Sequence, residues 1–240
     1  KLLTRTLFAK LLAPMGLVIG LCLVTFLAHA QAPAQGAWPQ KPIRWIIPYT
    51  PGGLTDTVTR IVIQKVQENT GWSIVMENKP GANSLLGAEL VARSQPDGYT
   101  FLVAFDPYGV NPSLIPDLPF DSQRDLAPIM LIGKSPMVFT THPSTSYRSF
   151  ADLLKEVRAK PASVGYGTIG AGSLAHLAVI LMSKQSGFSM NHVPYKGGGP
   201  AMADLVGGQI QVMFDGPPSV IGQIRTGRFR PLAAMSSRRS

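Results

Sequence analysis

Five segments rich in glycine and small polar residues, 50–55, 105–111, 167–173, 195–200 and 215–219, constrain this chain most. Each follows a short apolar run and precedes residues whose apolar positions recur at helical spacing. The first is the clearest. Ile43-Arg44-Trp45-Ile46-Ile47 runs into Pro48-Tyr49-Thr50-Pro51-Gly52-Gly53-Leu54-Thr55-Asp56, and Val58, Ile61, Val62 and Val66 follow. Alternation of this kind predicts βαβ units and a largely parallel sheet. In such a sheet all strand-to-helix turns lie at the carboxyl ends of the strands, where ligands bind. A glycine pair lets backbone amides approach a ligand closely. The open amides of a helix's first turn favour negative charge. The first turn therefore fits an anion-holding loop, and equally a plain turn with Thr55 or Asp56 as helix N-cap.

The same spacing predicts strands over 43–47, 73–76, 99–104, 129–132, 137–141, 164–166, 190–193 and 231–235, and a half-exposed one through Ile210, Val212 and Phe214. A helix is expected over 56–69, stopped near Gly71, and another on the stripe Leu85, Leu86, Leu90 and Val91. Ser149-Phe150-Ala151-Asp152 resembles a capping box, and Gly170-Ala171-Gly172-Ser173 opens a further helix. Residues 106–128 carry five prolines and read as a long irregular connection, a kind of loop that is often functional. No sequence repeat is visible. The pattern is two successive α/β halves that divide near 135–145.

Residues 1–30 read as a targeting segment. Lys1, Arg5 and Lys10 precede an apolar stretch from Leu11 to Leu27 and then Ala28-His29-Ala30, the three-part pattern of a cleavable secretory signal. The rival is an uncleaved membrane anchor; Pro14, Gly16 and Gly20 favour cleavage. Cys22 could mark a lipoprotein, but Leu21 stands where a small residue is expected. Residues 31–40 form a Pro/Ala linker. Removing the signal takes three of the nine net positive charges and the one cysteine, leaving +6 on 210 residues. An exported chain without disulfides must be held by a hydrophobic core. The positive charge is spread singly and lacks interleaved aromatics, which argues against nucleic acid and suits an anionic small solute.

Enzyme motifs mostly fail. Gly133-Lys134-Ser135 has Pro128 where a phosphate loop needs its first glycine. Ser173 and His176 invite a nucleophile-and-base reading, against the simpler one of Ser173 as N-cap, since Ala175 breaks the nucleophile-elbow pattern. His142, His176 and His192 are scattered without metal-ligand spacing, and acids are few and unpaired. No metal or cofactor is expected. Lys196 fits either a ligand contact or a solvated loop.

Read in order, Pro48 to Asp56, Glu77-Asn78-Lys79-Pro80-Gly81-Ala82, Pro96-Asp97-Gly98-Tyr99-Thr100, Asn111-Pro112-Ser113-Leu114, His192-Val193-Pro194-Tyr195-Lys196-Gly197 and Met213-Phe214-Asp215 resemble the Bug-type solute receptors of tripartite tricarboxylate transporters. The resemblance runs from about Lys41 to the end. It implies a periplasmic, non-catalytic receptor of the type II periplasmic-binding-protein (Venus flytrap) fold, working as a monomer. Two lobes, 41–140 and 141–240, would each hold a mostly parallel sheet flanked by helices and close on a small carboxylate or amino-acid-like solute. Delivery to membrane transporter components is implied with it. The family grips a carboxylate with one loop from each lobe, partly through ordered waters. Carried over by position, Tyr49, Gly52, Gly53, Thr55, Asp56 and Asn111 serve lobe one, Gly170, Gly172, Ser173 and His176 lobe two, and Asp215 matches the acid of a Phe-Asp-Asn segment. Asp106 joins them as a departure from the pattern: a cleft carboxylate there would repel an acidic ligand unless protonated or paired with a ligand cation. Gly216 departs too, replacing an asparagine. Family members continue for several further elements, so the resemblance implies a C-terminally truncated chain with lobe one incomplete. The alternatives are a periplasmic sensor for a signalling system, a secreted hydrolase using Ser173, and a non-functional truncation product.

Overall fold

The computed structural model describes residues 38–236. The expected signal segment 1–30 and all but the last residues of the linker lie outside the described residues. From Lys41 onward the chain forms one compact unit.

The first half carries a three-stranded parallel sheet. Its strands are β1 (Ile43–Ile47), β2 (Ile74–Asn78) and β3 (Thr100–Leu102), in the order β2-β1-β3. Its helices are α1 (Leu54–Thr70), α2 (Leu85–Ala92) and α3 (Asp106–Leu114). The apolar run of β1 makes it the central strand: Ile43, Ile46 and Ile47 are fully buried. Helix α1 stops at Gly71, which takes the left-handed φ of 70° that a side chain resists and returns its N–H to Gln67 O.

The second half carries a mixed five-stranded sheet. Its strands are β4 (Val138–Thr141), β5 (Gly165–Thr168), β6 (Asn191–Pro194), β7 (Val212–Asp215) and β8 (Arg230–Ala234), in the order β6-β5-β7-β4-β8. Only β4 runs against its neighbours β7 and β8; β5 is parallel to both β6 and β7. Around it pack α4 (Phe150–Ala159), α5 (Leu174–Ser186), α6 (Gly198–Val206) and α7 (Pro217–Arg225). The capping box forms as the sequence suggests, with Ser149 and Asp152 exchanging side-chain and backbone bonds. The core centres on Phe139, Tyr166 and Phe214, with the rings of Phe139 and Phe214 3.8 Å apart at 64°.

Three expectations need correction. Residues 129–132 form no strand, and Ile129, at 72% exposed, has no neighbouring strand to pair with among the described residues. Residues 106–114 form a helix rather than irregular chain, because Pro107 sits in its first turn, where a missing N–H costs nothing. Strand β7 is buried on both faces rather than half-exposed, since it lies inside its sheet with helices over it. Gln209 and Gln211, which suggested the alternation, precede it.

Candidate functional site

The turn after β1 is tied down by Asp56, which is 3% exposed. Its Oδ2 accepts the N–H of Gly52 at 3.0 Å and the Arg60 Nε–H at 3.0 Å. Its Oδ1 accepts from Asn78 Nδ2 at 3.1 Å, and the same Nδ2 donates to Tyr49 O at 2.9 Å. Burial pushes this carboxyl up, but Arg60, the Gly52 amide and Asn78 outweigh it and hold the acid below its ordinary value. The glycines serve a close approach of backbones. A Cβ on Gly53 would lie 2.8 Å from Gly198 N, and one on Gly199 would lie 2.1 Å from Pro51 O. Thr50 N–H donates to Lys196 O at 3.1 Å. The Gly52-Gly53 turn of the first half thus meets the Gly197–Gly199 turn of the second.

The turn after β5 is held by hydroxyls and imidazoles. Ser173 caps α5: its Oγ accepts the His176 N–H and donates to Gly170 O at 2.8 Å. His176 Nδ1 accepts the Gly172 N–H at 3.0 Å, so the ring does not bond Ser173. A nucleophile-and-base pair is therefore not assembled. His176 stacks on His192 with centroids 4.0 Å apart at 15°, and His192 stacks on Tyr166. His192 Nε2 reaches Thr168 Oγ1 at 2.7 Å. Burial, and after it the neighbouring His176, pushes His192 down to about 4; burial also lowers His176. Both rings are neutral at ordinary pH.

A third wall comes from 81–84, where Gly81, Ala82, Asn83 and Ser84 all take positive φ. Three successive non-glycine residues in this region are strained, and strain of this kind collects at functional sites. Asn111 on α3 holds the turn: Asn83 Nδ2 donates to Asn111 Oδ1 at 2.7 Å, and Asn111 Nδ2 donates to Asn83 O at 3.0 Å. Asn83 faces Gly170, on which a Cβ would fall 2.4 Å from Asn83 Oδ1.

Two acids complete the region, Asp215 buried and Asp106 half-buried. Asp106 Oδ2, in the first turn of α3, accepts the Leu174 N–H at the start of α5. Asp215 Oδ1 accepts the Gly216 N–H at 2.8 Å, and the Leu54 amide at the start of α1 favours its charged form. Burial outweighs these amides and pushes both acids up to about 6; Asp106 adds repulsion at Asp215.

Between the walls lies a cavity of about 210 Å³, lined from the first half by Tyr49, Asn83 and Ser84 and from the second by Gly170, Ala171 and Lys196, among others. A second space of about 10 Å³, room for about one water, is lined by Gly53, Thr55, Asp56 and Asp215 with Tyr49 between the two. Of the residues singled out from sequence, Tyr49, Gly170 and Lys196 reach the larger cavity. Gly52, Asp106, Asn111, Gly172, Ser173 and His176 do not line it; each is bonded to or packed on other parts of the protein. The sequence reading missed Asn83 and Ser84, whose only signal was the Pro80-Gly81-Ala82-Asn83 turn, and it missed the pairing of His192 with His176. Among the described residues, eight buried side-chain polar atoms lack a hydrogen-bond partner. Six of them, on Tyr49, Thr50, Asn83, Ser84, Asp106 and Asp215, sit where the halves meet. Unpartnered buried polar atoms are costly, so their concentration marks a surface shaped to receive polar groups.

The family model described as "Tripartite tricarboxylate transporter family receptor" matches residues 58–240. Protein BugT of Bordetella pertussis is 36% identical over 226 residues, covering 93% of this chain and 69% of BugT. Among solved structures, one described as a periplasmic transporter is 39% identical with a TM-score of 0.80, covering 85% of this chain and 68% of its own. The R. palustris protein Rpa4515, solved with adipate, is 30% identical with a TM-score of 0.80, covering 84% of this chain and 68% of its own. The fold is that of these periplasmic binding proteins. The chain belongs to the tripartite tricarboxylate transporter receptor family.

Proposed function

We propose that the protein captures a small carboxylate-bearing metabolite in the cavity between its two lobes, 41–140 and 141–240, and hands it to the membrane components of a tripartite tricarboxylate-type transporter in the periplasm. The observation that carries this reading is a cavity with walls from both halves, lined by Tyr49, Asn83 and Ser84, each with a buried polar atom that lacks a hydrogen-bond partner, and by Lys196. A volume of about 210 Å³ is below the range of drug-sized sites and suits a small solute. Lys196 lines it and enters no ion pair among the described residues, so it is free to meet a carboxylate. The net positive charge of the chain favours an anion as well. The adipate bound by Rpa4515 makes a linear dicarboxylate the first probe.

Titration calorimetry with adipate, its diamide and a panel of amino acids tests this. One-to-one binding of a carboxylate, lost with the diamide, is the expected result. Gly170→Ala, which sets a Cβ against Asn83 on a φ of 133°, is expected to abolish it. Equal binding of diacid and diamide would refute carboxylate recognition.

A further inference from the structure

The side-chain amide of Asn83 cannot turn over, and this fixes what it can offer a solute. Asn111, 2% exposed on α3, donates from Nδ2 to the backbone oxygen of Asn83 at 3.0 Å. A backbone oxygen only accepts, so the Asn111 amide has one orientation. Its Oδ1 is thereby turned to Asn83, whose Nδ2 donates to it at 2.7 Å. Reversing the Asn83 amide would set two oxygens against each other. Asn83 Oδ1 is the end left over. It is buried, it has no hydrogen-bond partner among the described residues, and it belongs to a residue that lines the cavity of about 210 Å³. It stands against Gly170 of the facing wall, on which a Cβ would fall 2.4 Å from it. The φ of 54° at Asn83, between 46° at Ala82 and 74° at Ser84, would suit glycine better. The asparagine side chain is thus presented from a strained turn.

We infer that Asn83 is a specificity-determining residue, which selects a solute that carries a hydrogen-bond donor, such as a hydroxyl, besides its carboxylate. The inference rests on the carboxylate-binding cavity proposed above. The polar groups on the cavity walls differ in what they can do. The hydroxyls of Tyr49 and Ser84 donate or accept, and Lys196 only donates. All three can meet a carboxylate. Asn83 Oδ1 only accepts. A carboxylate set against it would bring two acceptors together, whereas a hydroxyl would satisfy it. A solute without a donor leaves this acceptor buried and unpaired, which costs affinity. A site built to bond a hydroxyl discriminates strongly against the analogue that lacks one. Asn111 is the positioning residue: its two bonds to Asn83 stop the amide from turning to suit a plain carboxylate.

Titration calorimetry on the purified chain provides the test, with adipate and its racemic 2-hydroxy, 3-hydroxy, 2-methoxy and 3-methoxy derivatives as probes. Positions 2 and 3 cover the adipate chain by symmetry, and a methoxy group brings an oxygen without a donor. At least one hydroxy acid is expected to bind about tenfold or more tighter than adipate, and neither methoxy acid to bind tighter than adipate. Asn83→Gly removes the acceptor and accepts the positive φ. It is expected to bring the preferred hydroxy acid to within about twofold of adipate. Circular dichroism checks its fold, and the parent series does not depend on it. Equal binding of adipate and both hydroxy acids by the parent would overturn the inference and leave the carboxylate reading standing. So would a preference that survives in a folded Asn83→Gly, or one that the methoxy acids share. Binding of none of the acids would overturn the carboxylate reading and this inference together.

Discussion

The turns after β1 and β5 occupy corresponding places in the two halves, yet they are held by opposite chemistry. The first is fixed by an ionised carboxylate: Asp56 takes the Gly52 amide, Asn78 and Arg60 and stays below its ordinary range. The second is fixed by neutral groups. Ser173, Thr168 and the stacked rings of His176 and His192 hold it, and the rings are pushed toward the uncharged form. A charge buried with three partners is strong, and it is unforgiving when a partner is lost. Neutral hydrogen bonds are individually weaker, and losing one partner carries a smaller penalty. The first wall is therefore expected to behave as a rigid jaw and the second as the more adjustable one.

The largest effect is expected where the two turns touch. Gly198→Ala places a methyl group 2.3 Å from Asp215 Oδ2 and 2.8 Å from Gly53 Cα, and neither the buried acid nor the backbone can give way easily. Closure is lost on both sides at once. Affinity for the solute is expected to fall by about a hundredfold or more, equivalent to about 3 kcal/mol, as read by calorimetry. Gly187→Ala supplies the contrast. It has a positive φ of 64° but nothing within 4 Å, so it is expected to cost only about 1 kcal/mol of stability and leave affinity alone.

Next in size is the loss of the first wall's anchor. Asp56→Ala strips the acceptor from the Gly52 amide, from Asn78 and from Arg60 together. Chemical denaturation is expected to show a loss of about 2–4 kcal/mol. His176→Ala removes one acceptor, that of the Gly172 amide, and is expected to cost about 1 kcal/mol. Equal losses at the two sites would erase the distinction between the jaws.

The sequence revealed the turns more readily than their partners. The alternation of strand and helix signals located β1, α1, β5 and α5 because periodicity and turn residues are local. It could not show that Gly52 and Gly53 face Gly197–Gly199, because that contact spans about 145 residues of chain and depends on how the halves dock. The anion-loop reading of Pro51-Gly52-Gly53 was built on sound physics: the helix starts do attract carboxylates. At the start of α5 the carboxylate in contact is the protein's own Asp106. Asn83 was hidden for another reason. Its turn is strained through three left-handed residues that local propensity disfavours, and only the two-way amide bond with Asn111, 28 residues away, sustains it. Ile129 to Ile132 erred in the opposite direction. Apolar composition predicts a strand, but a strand also needs a neighbour to bond.

Acid should separate the histidines of the second jaw from the two acids, Asp106 and Asp215. The histidines sit below their ordinary value when folded, so their stabilising effect is complete above pH 6.5 and is lost as pH falls toward about 4. Asp106 and Asp215 sit above theirs, at about 6, so their contribution is greatest at acid pH and is lost as pH rises through that value. The two trends oppose each other between pH 7 and 5. Asp106→Asn removes part of one side. Between pH 7 and 5 its stability is expected to fall about 1 kcal/mol further than the parent's, as measured by denaturation at each pH. A parallel pair of profiles would show that Asp106 does not take up a proton in the folded protein.

The smallest expected effect is the most direct probe of the contrast in charge. Arg60 is 57% exposed, so its pairing with Asp56 is open to screening, whereas the stacked histidines carry no charge for salt to screen. Raising salt from about 0.01 M to 1 M shortens the screening length from about 30 Å to about 3 Å. An exposed pair is worth at most about 1 kcal/mol, so the parent is expected to lose a few tenths of a kcal/mol. Arg60→Gln should lose less than the parent over the same range, and His176→Ala should lose as much as the parent, since its partner bonds are uncharged. If His176→Ala instead became insensitive to salt, the second wall would owe its order to charge after all, and the difference between the two jaws would disappear.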